Sequence, residues 1–400
     1  MKVLLSAFQC SPGRGSEPGA GWHWATALAD YGHEVTVLTS SDYREPIVRH
    51  DNDHGIEFRF VDERVSPLHR LSNSMGLYDT YLRWQSEAYR QVPPEKFDVV
   101  HHVTWGSLRL GSKMWQLPIP LVYGPIGGGQ LSPARYRGYF GRDRPIESFR
   151  AASAGPLMAL NRQGQQTLRH AAVTLACNSD TANAARRAGG RDVRLMMADA
   201  LPDDWVIEAR DKPAGTPVVL WVGRMLRRKA PTLAVEAFAE LRRHMPARMI
   251  MAGGEGPMTP EVRAAVERLG LTGDVELLGQ VHWDRVRELY ASASVFLFTS
   301  LRESFGGQFL EALGKGLPAV ALDLHGISDA EVGDAAIKVP LPDQPAELPG
   351  RLGAALQTVL TDGEWEHRST AAVKWASEQV WPARAAAVTE IYRDITGTRR

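Results

Sequence analysis

Short apolar runs, each followed by a longer amphipathic segment, recur along the whole chain and restrict it to an α/β fold. In the first half the runs lie at 2–8 (KVLLSAF), 34–40, 56–62, 98–103, 120–126 and 172–178. In the second half they lie at 217–223 (PVVLWVG), 248–254, 275–281, 294–300 and 318–324. Runs this continuously apolar, with room for a helix between them, read as strands covered on both faces of a parallel sheet. Four hundred residues exceed one ordinary core, so the two series predict two domains. The expected division is 1–200, a Pro- and charge-rich linker at 201–217, and 218–381, with a helix over 382–400 crossing back to the first domain. The fold class expected is α/β, with two Rossmann-like domains whose parallel sheets face across a cleft.

Composition removes several classes of function. Lys+Arg and Asp+Glu are both 46, so no global field draws the chain to nucleic acid. Two cysteines, Cys10 and Cys177, supply neither a disulfide framework nor a zinc site and point to a reduced, cytoplasmic setting. No apolar run approaches the roughly 18 residues that a membrane span needs.

In open parallel sheets, ligands bind beyond the carboxyl ends of the strands, where glycine lets backbone approach a diphosphate. Glycine clusters fall at such places: Gly13–Gly21 after the first strand, Gly127–Gly129 after the fifth, Gly253–Gly256 and Gly306-Gly307 in the second half. The densest constellation is TSLRESFGGQFLEALGKGLPAVALD at 299–323. Here Glu303 precedes Phe305, Gly306 and Gly307 at the start of a helix expected over 307–315, and Glu311 follows eight positions after Glu303. A helix N-terminus favours an anion, and carboxylates suit sugar hydroxyls. The plainer reading, a tight turn beside an ordinary surface glutamate, carries less weight because the pieces occur together. In VGRMLRRKAP, Arg224 follows a strand and Lys229 approaches the next helix, so the two could neutralise a departing diphosphate. Arg227 and Arg228 read as a solvated basic loop.

These residues resemble the GT-B-fold retaining glycosyltransferases of family 4 over nearly the whole chain. The paired-glutamate motif stands as Glu303-Ser304-Phe305-Gly306-Gly307-Gln308-Phe309-Leu310-Glu311, and the Gly-Arg…Lys element as Gly223-Arg224 to Lys229. The resemblance implies that Glu303 contacts the donor sugar, Glu311 the nucleotide ribose, and Arg224 and Lys229 the diphosphate. It also implies donor contacts from Gly15, Ser16, Gly223, Gly254, Phe305, Gly306 and Gly307. Gly15-Ser16 departs from the family's usual glycine pair.

The family's histidine position falls at His101 or His102. Alternation sends their side chains to opposite faces, with His102 the candidate catalytic group and His101 a candidate acceptor contact beside Gly128, Gly129 and Gln130. For either histidine the plain alternative is a hydrogen-bonded group in the packed domain. No metal is expected: Asp51-Asn52-Asp53 has a metal-pair spacing but reads as a turn. No cofactor is implied beyond a nucleotide-sugar co-substrate, a UDP- or GDP-sugar. The acceptor would carry a hydroxyl on a small molecule, glycan or lipid.

Residues 131–170 hold seven arginines against Asp143 and Glu147, with Tyr136, Tyr139, Phe140 and Phe149 interleaved. The stretch 135–150 could meet an anionic membrane face, although a solvated cover on the first domain is the favoured reading. The aromatic stretch 68–92 reads as helix core. Rival functions are a nucleotide-sugar epimerase and a non-catalytic sugar-nucleotide binder. A dinucleotide dehydrogenase is rejected because Pro18 replaces the third glycine of its fingerprint.

Overall fold

Thirteen strands form two parallel sheets in the computed structural model, which describes residues 1–50, 53–63, 73–207, 210–361 and 363–397. The chain divides into two units, Met1–Gly129 with Gly155–Asp199 and Trp381–Arg400, and Gln130–Ala154 with Ala200–Val380.

The first unit carries β1 (Lys2–Ser6), β2 (Glu34–Ser40), β3 (Glu57–Val61), β4 (Val99–His102), β5 (Leu121–Ile126), β6 (Val173–Ala176) and β7 (Val193–Leu195). Their spatial order is β3-β2-β1-β4-β5-β6-β7. Leu5 stands opposite Val37 on one side and His101 on the other, so β1 is fully flanked. Helices Asn73–Arg90 and Trp381–Thr396 bring Tyr81, Trp84 and Tyr392 into this interior, each with no exposed surface.

The second unit carries β8 (Val218–Val222), β9 (Arg248–Ala252), β10 (Val275–Gly279), β11 (Val295–Phe298), β12 (Ala319–Leu322) and β13 (Ala336–Val339), ordered β10-β9-β8-β11-β12-β13. The order reverses between β8 and β11, the switch point at which ligands bind in such sheets.

Two parts of the expected division need correction. The segment 201–217 is not a free tether: Trp205 is buried and its indole donates to the Glu311 carbonyl, while Arg210 lies over the Trp365 ring and donates to the Tyr290 carbonyl. Its Pro and charge content hid two anchoring side chains. Residues 130–154, expected on the first domain, pack in the second unit, where Tyr136 and Phe140 enter the core. Of the aromatic residues expected at a membrane face, Phe149 is exposed while Tyr136 and Phe140 are buried. No helix among the described residues is long and apolar enough to cross a membrane.

Candidate functional site

The loops leaving β8, β9 and β11 are hydrogen-bonded into one surface. Gly223 donates to the Ala252 carbonyl, and Met225 to that of Gly254. Leu301 donates to the Arg228 carbonyl, and the Thr299 hydroxyl to that of Lys229. Gly253 adopts φ +155°, and a Cβ there would stand 1.9 Å from the Gly223 carbonyl oxygen. Only glycine allows the β8 and β9 loops to approach this closely. Gly306 turns the chain into helix Gly307–Gly314 at φ +106°, where a Cβ would meet the Phe298 ring at 2.4 Å.

On this surface Lys229 and Glu303 meet. The ammonium lies 2.6 Å from the carboxylate, with side-chain exposures of 7% and 21%. It also donates to Gln308 at 3.3 Å and sits over the Phe298 ring. Burial pulls the Lys229 ammonium below its ordinary value, with Glu303 opposing. Burial alone would push the Glu303 carboxyl up, but Lys229 and Arg228 outweigh it and hold the group below the usual carboxylate range. Lys229 and Arg228 thus favour the charged form of the Glu303 carboxylate.

Arg228 is not solvated as the sequence suggests; its guanidinium reaches the same Glu303 oxygen as Lys229. Arg227 also departs from the solvated reading, lying between Asp143 at 3.1 Å and Glu261 at 3.3 Å with 11% exposure. Arg224 is exposed at the end of β8. Glu311 accepts from the buried Tyr290 hydroxyl at 3.0 Å. Phe305 turns inward against Phe309, leaving its backbone for any ligand contact. Arg228, Gln308 and Tyr290 thus contact the candidate site residues, and the sequence reading did not single them out. Arg228 was legible only as the neighbour of Lys229, and Tyr290 gave no signal.

In the first unit, Gly15 and Ser16 are exposed at the start of helix Ser16–Asp30. Gly128 and Gly129 follow β5, with the Gly129 N–H donating to Thr181. Gln130, expected beside them as an acceptor contact, belongs to the second unit, where its amide donates to Ser304 at 2.9 Å.

The histidines require correction. His101 bonds Tyr392 at 2.6 Å and the Gly124 carbonyl at 2.7 Å; His102 bonds Ser6 at 2.9 Å and Tyr81 at 3.0 Å. They occupy opposite sheet faces as alternation requires, but both faces are covered and neither ring has exposed surface. Both are interior hydrogen-bonding groups, the plainer of the two readings. Burial lowers His101 to about 4 and His102 to about 3, from an ordinary value of 6.5. Unfolded histidines take up protons that the folded ones refuse, so this contribution is present above about pH 6.5 and is lost as pH falls toward 4 and below. The melting temperature should decline across that window, and His101→Gln should flatten the decline when both chains are melted at several pH values. An unchanged slope would mean that His101 takes up its proton as readily in the folded chain as in the unfolded one.

Among the described residues no group of three or more His, Cys, Asp and Glu side chains is placed to hold a metal. Asp51 and Asn52 lie outside the described residues. A cavity of about 560 Å³ in the second unit is lined by residues including Tyr139, Arg142, Glu236 and Arg268, and by none of Glu303, Glu311, Arg224 or Lys229. The loop surface, not this cavity, gathers the chemistry.

Two Rossmann-like units, with a cation–carboxylate cluster at the switch point of the second, define a GT-B-type transferase. The chain belongs to the glycosyltransferases: it matches the family model for glycosyl transferases group 1 over residues 216–361 and that for the glycosyl transferase 4-like domain over 19–199. It is 28% identical to D-inositol 3-phosphate glycosyltransferase of Kineococcus radiotolerans, covering 96% of this chain and 92% of that one. Among solved structures it resembles sucrose-phosphate synthase of Thermosynechococcus elongatus (19% identity, TM-score 0.71, all of both chains). It also resembles HepE of Anabaena, solved in complex with UDP (18% identity, TM-score 0.64, 98% of this chain and 100% of that one).

Proposed function

We propose that the chain moves a sugar from a UDP- or GDP-sugar to a hydroxyl of a small-molecule, glycan or lipid-linked acceptor, with retention at the anomeric carbon and without a metal. The observation that carries this reading is the pairing of the buried Lys229 with the half-buried Glu303 beside the N-terminus of helix Gly307–Gly314. Glu303 accepts hydroxyls of the donor sugar, and Glu311, oriented by Tyr290, accepts those of the ribose. Lys229, Arg224 and the helix N-terminus stabilise the negative charge that grows on the diphosphate as the glycosidic bond breaks. A same-face step needs no protein nucleophile. The acceptor oxygen attacks the anomeric carbon from the side the diphosphate leaves, and a diphosphate oxygen takes the acceptor's proton. His102 has no part in this step; its role is to tie β4 to Ser6 and Tyr81.

A cytoplasmic setting, with any membrane contact confined to the exposed Ile146 and Phe149, completes the proposal. The test is an incubation of UDP- and GDP-sugars with an acceptor panel opened by D-inositol 3-phosphate, the acceptor in the name of the relative above. An α-linked donor should give an α-linked product by NMR. A β-linked product would exclude retention, and an altered sugar nucleotide released without acceptor would favour the epimerase.

A further inference from the structure

The residues on either side of Glu303 are both held by a single segment, residues 130–154, which lies far from them in sequence. Gln130 donates to Ser304 at 2.9 Å, and Glu147 pairs with Arg302 at 2.8 Å. The segment is fastened at several other points. The Tyr136 hydroxyl donates to the Pro342 carbonyl at 2.6 Å and that of Tyr139 to Glu236 at 2.8 Å, while Asp143 pairs with Arg227 and Phe140 is 2% exposed. These anchors make it a fixed part of the second unit, not a surface loop.

Glu147 is the unusual member. Its side chain is 5% exposed, and the Arg302 guanidinium with which it pairs is 20% exposed. Arg150 approaches the same carboxylate at 3.5 Å. Burying a carboxylate is costly unless cations pair with it, and Arg302 and Arg150 are the partners here. Burial lowers the Arg302 guanidinium and Glu147 opposes that, while Arg150 and Arg228 repel it and Glu303 attracts it. Arg302 thus has two acidic neighbours, Glu147 and Glu303, and the 2.8 Å contact commits it to the first.

We infer that Glu147 is a positioning residue for the donor-sugar site: it draws Arg302 away from Glu303, leaving the Glu303 carboxylate to Lys229 and Arg228 and open to the sugar. The inference rests on the donor reading above. It deepens that reading by assigning to residues 130–154 a task in donor-sugar recognition that neither the glutamate pair nor the Gly-Arg…Lys element contains.

The test compares binding of UDP with UDP-glucose, and of GDP with GDP-glucose, by calorimetry in the full chain. In Glu147→Gln, affinity for the free nucleoside diphosphate should change by less than about twofold. The extra affinity contributed by the sugar, and kcat/KM for transfer, should each fall roughly tenfold, within the range seen for coupled neighbours. Adding Arg302→Gln to Glu147→Gln should restore most of the sugar increment, because the competing cation is gone. The same comparison can be made from Arg302→Gln alone if the single Glu147 variant does not fold, and that variant should keep its sugar increment. A proportional loss of affinity for nucleotide and sugar nucleotide alike, or a double variant worse than the single one, would overturn the assignment and leave Glu147 a structural residue. A wild-type chain that binds none of these nucleotides overturns the donor reading itself, and the assignment with it.

Discussion

Lys229→Ala should lower kcat/KM for sugar transfer by about 100- to 1,000-fold while leaving the protein folded. The size follows from removing one preorganised cation from the place where the leaving diphosphate gains charge, worth on the order of 3–4 kcal/mol in comparable sites. Stability should suffer much less. Glu303 retains Arg228 as a partner and has 21% side-chain exposure, so the substitution does not strand a carboxylate in a dry interior. Because Lys229 and Glu303 act as one unit, Glu303→Gln should cost a similar factor, and the double variant should cost far less than the product of the two. Steady-state kinetics on the three variants, with melting curves as a control for folding, checks this. Effects that multiply would mean that the two side chains act independently.

Gly253→Ala should be the most damaging single methyl group in the second unit. The added carbon would lie 1.9 Å from the Gly223 carbonyl oxygen, on backbone already at φ +155°, and that oxygen belongs to the loop carrying Arg224. Neither loop can yield without breaking the bonds from Gly223 to Ala252 and from Met225 to Gly254. Overpacking against backbone together with a disfavoured φ should cost about 3 kcal/mol. For a unit of this size that is a fall of roughly 6–12 °C in melting temperature. Nucleotide binding should weaken as well, since the displaced backbone is the part that approaches the diphosphate. Thermal melts with and without nucleoside diphosphate read both effects. An unchanged melting temperature would show that the loops can part without loss.

The apolar runs located the sheets because parallel strands covered on both faces carry their signal in contiguous residues. The edge strands β7 (VRL) and β13 (AIKV) escaped notice, being short and mixing charge with apolar positions. The glutamate pair and Gly223-Arg224…Lys229 were legible for a similar reason: each sits at a strand end, where glycine and charge interrupt an apolar pattern. Partners distant in sequence could not be seen this way. Whether Arg228 faces water depends on Glu303, 75 positions away, and whether His101 reaches solvent depends on Tyr392 in the last helix. The arginine-rich stretch 131–170 read as a solvated cover because its composition is dominated by charge. The docking of residues 130–154 is decided by Tyr136, Phe140 and Glu147, whose partners lie in the second half of the chain.

The central claim is a nucleoside-diphosphate site in the second unit that depends on Glu311, and a thermal-shift panel tests it most directly. UDP, GDP, ADP, TDP and NAD would be added to the native chain and to Glu311→Ala. A ligand at about 100 times its dissociation constant stabilises by roughly 2.7 kcal/mol, a readily visible shift. UDP or GDP should raise the melting temperature of the native chain, and the shift should largely disappear in Glu311→Ala. A shift with NAD alone, or a nucleotide shift of full size in Glu311→Ala, would contradict the account.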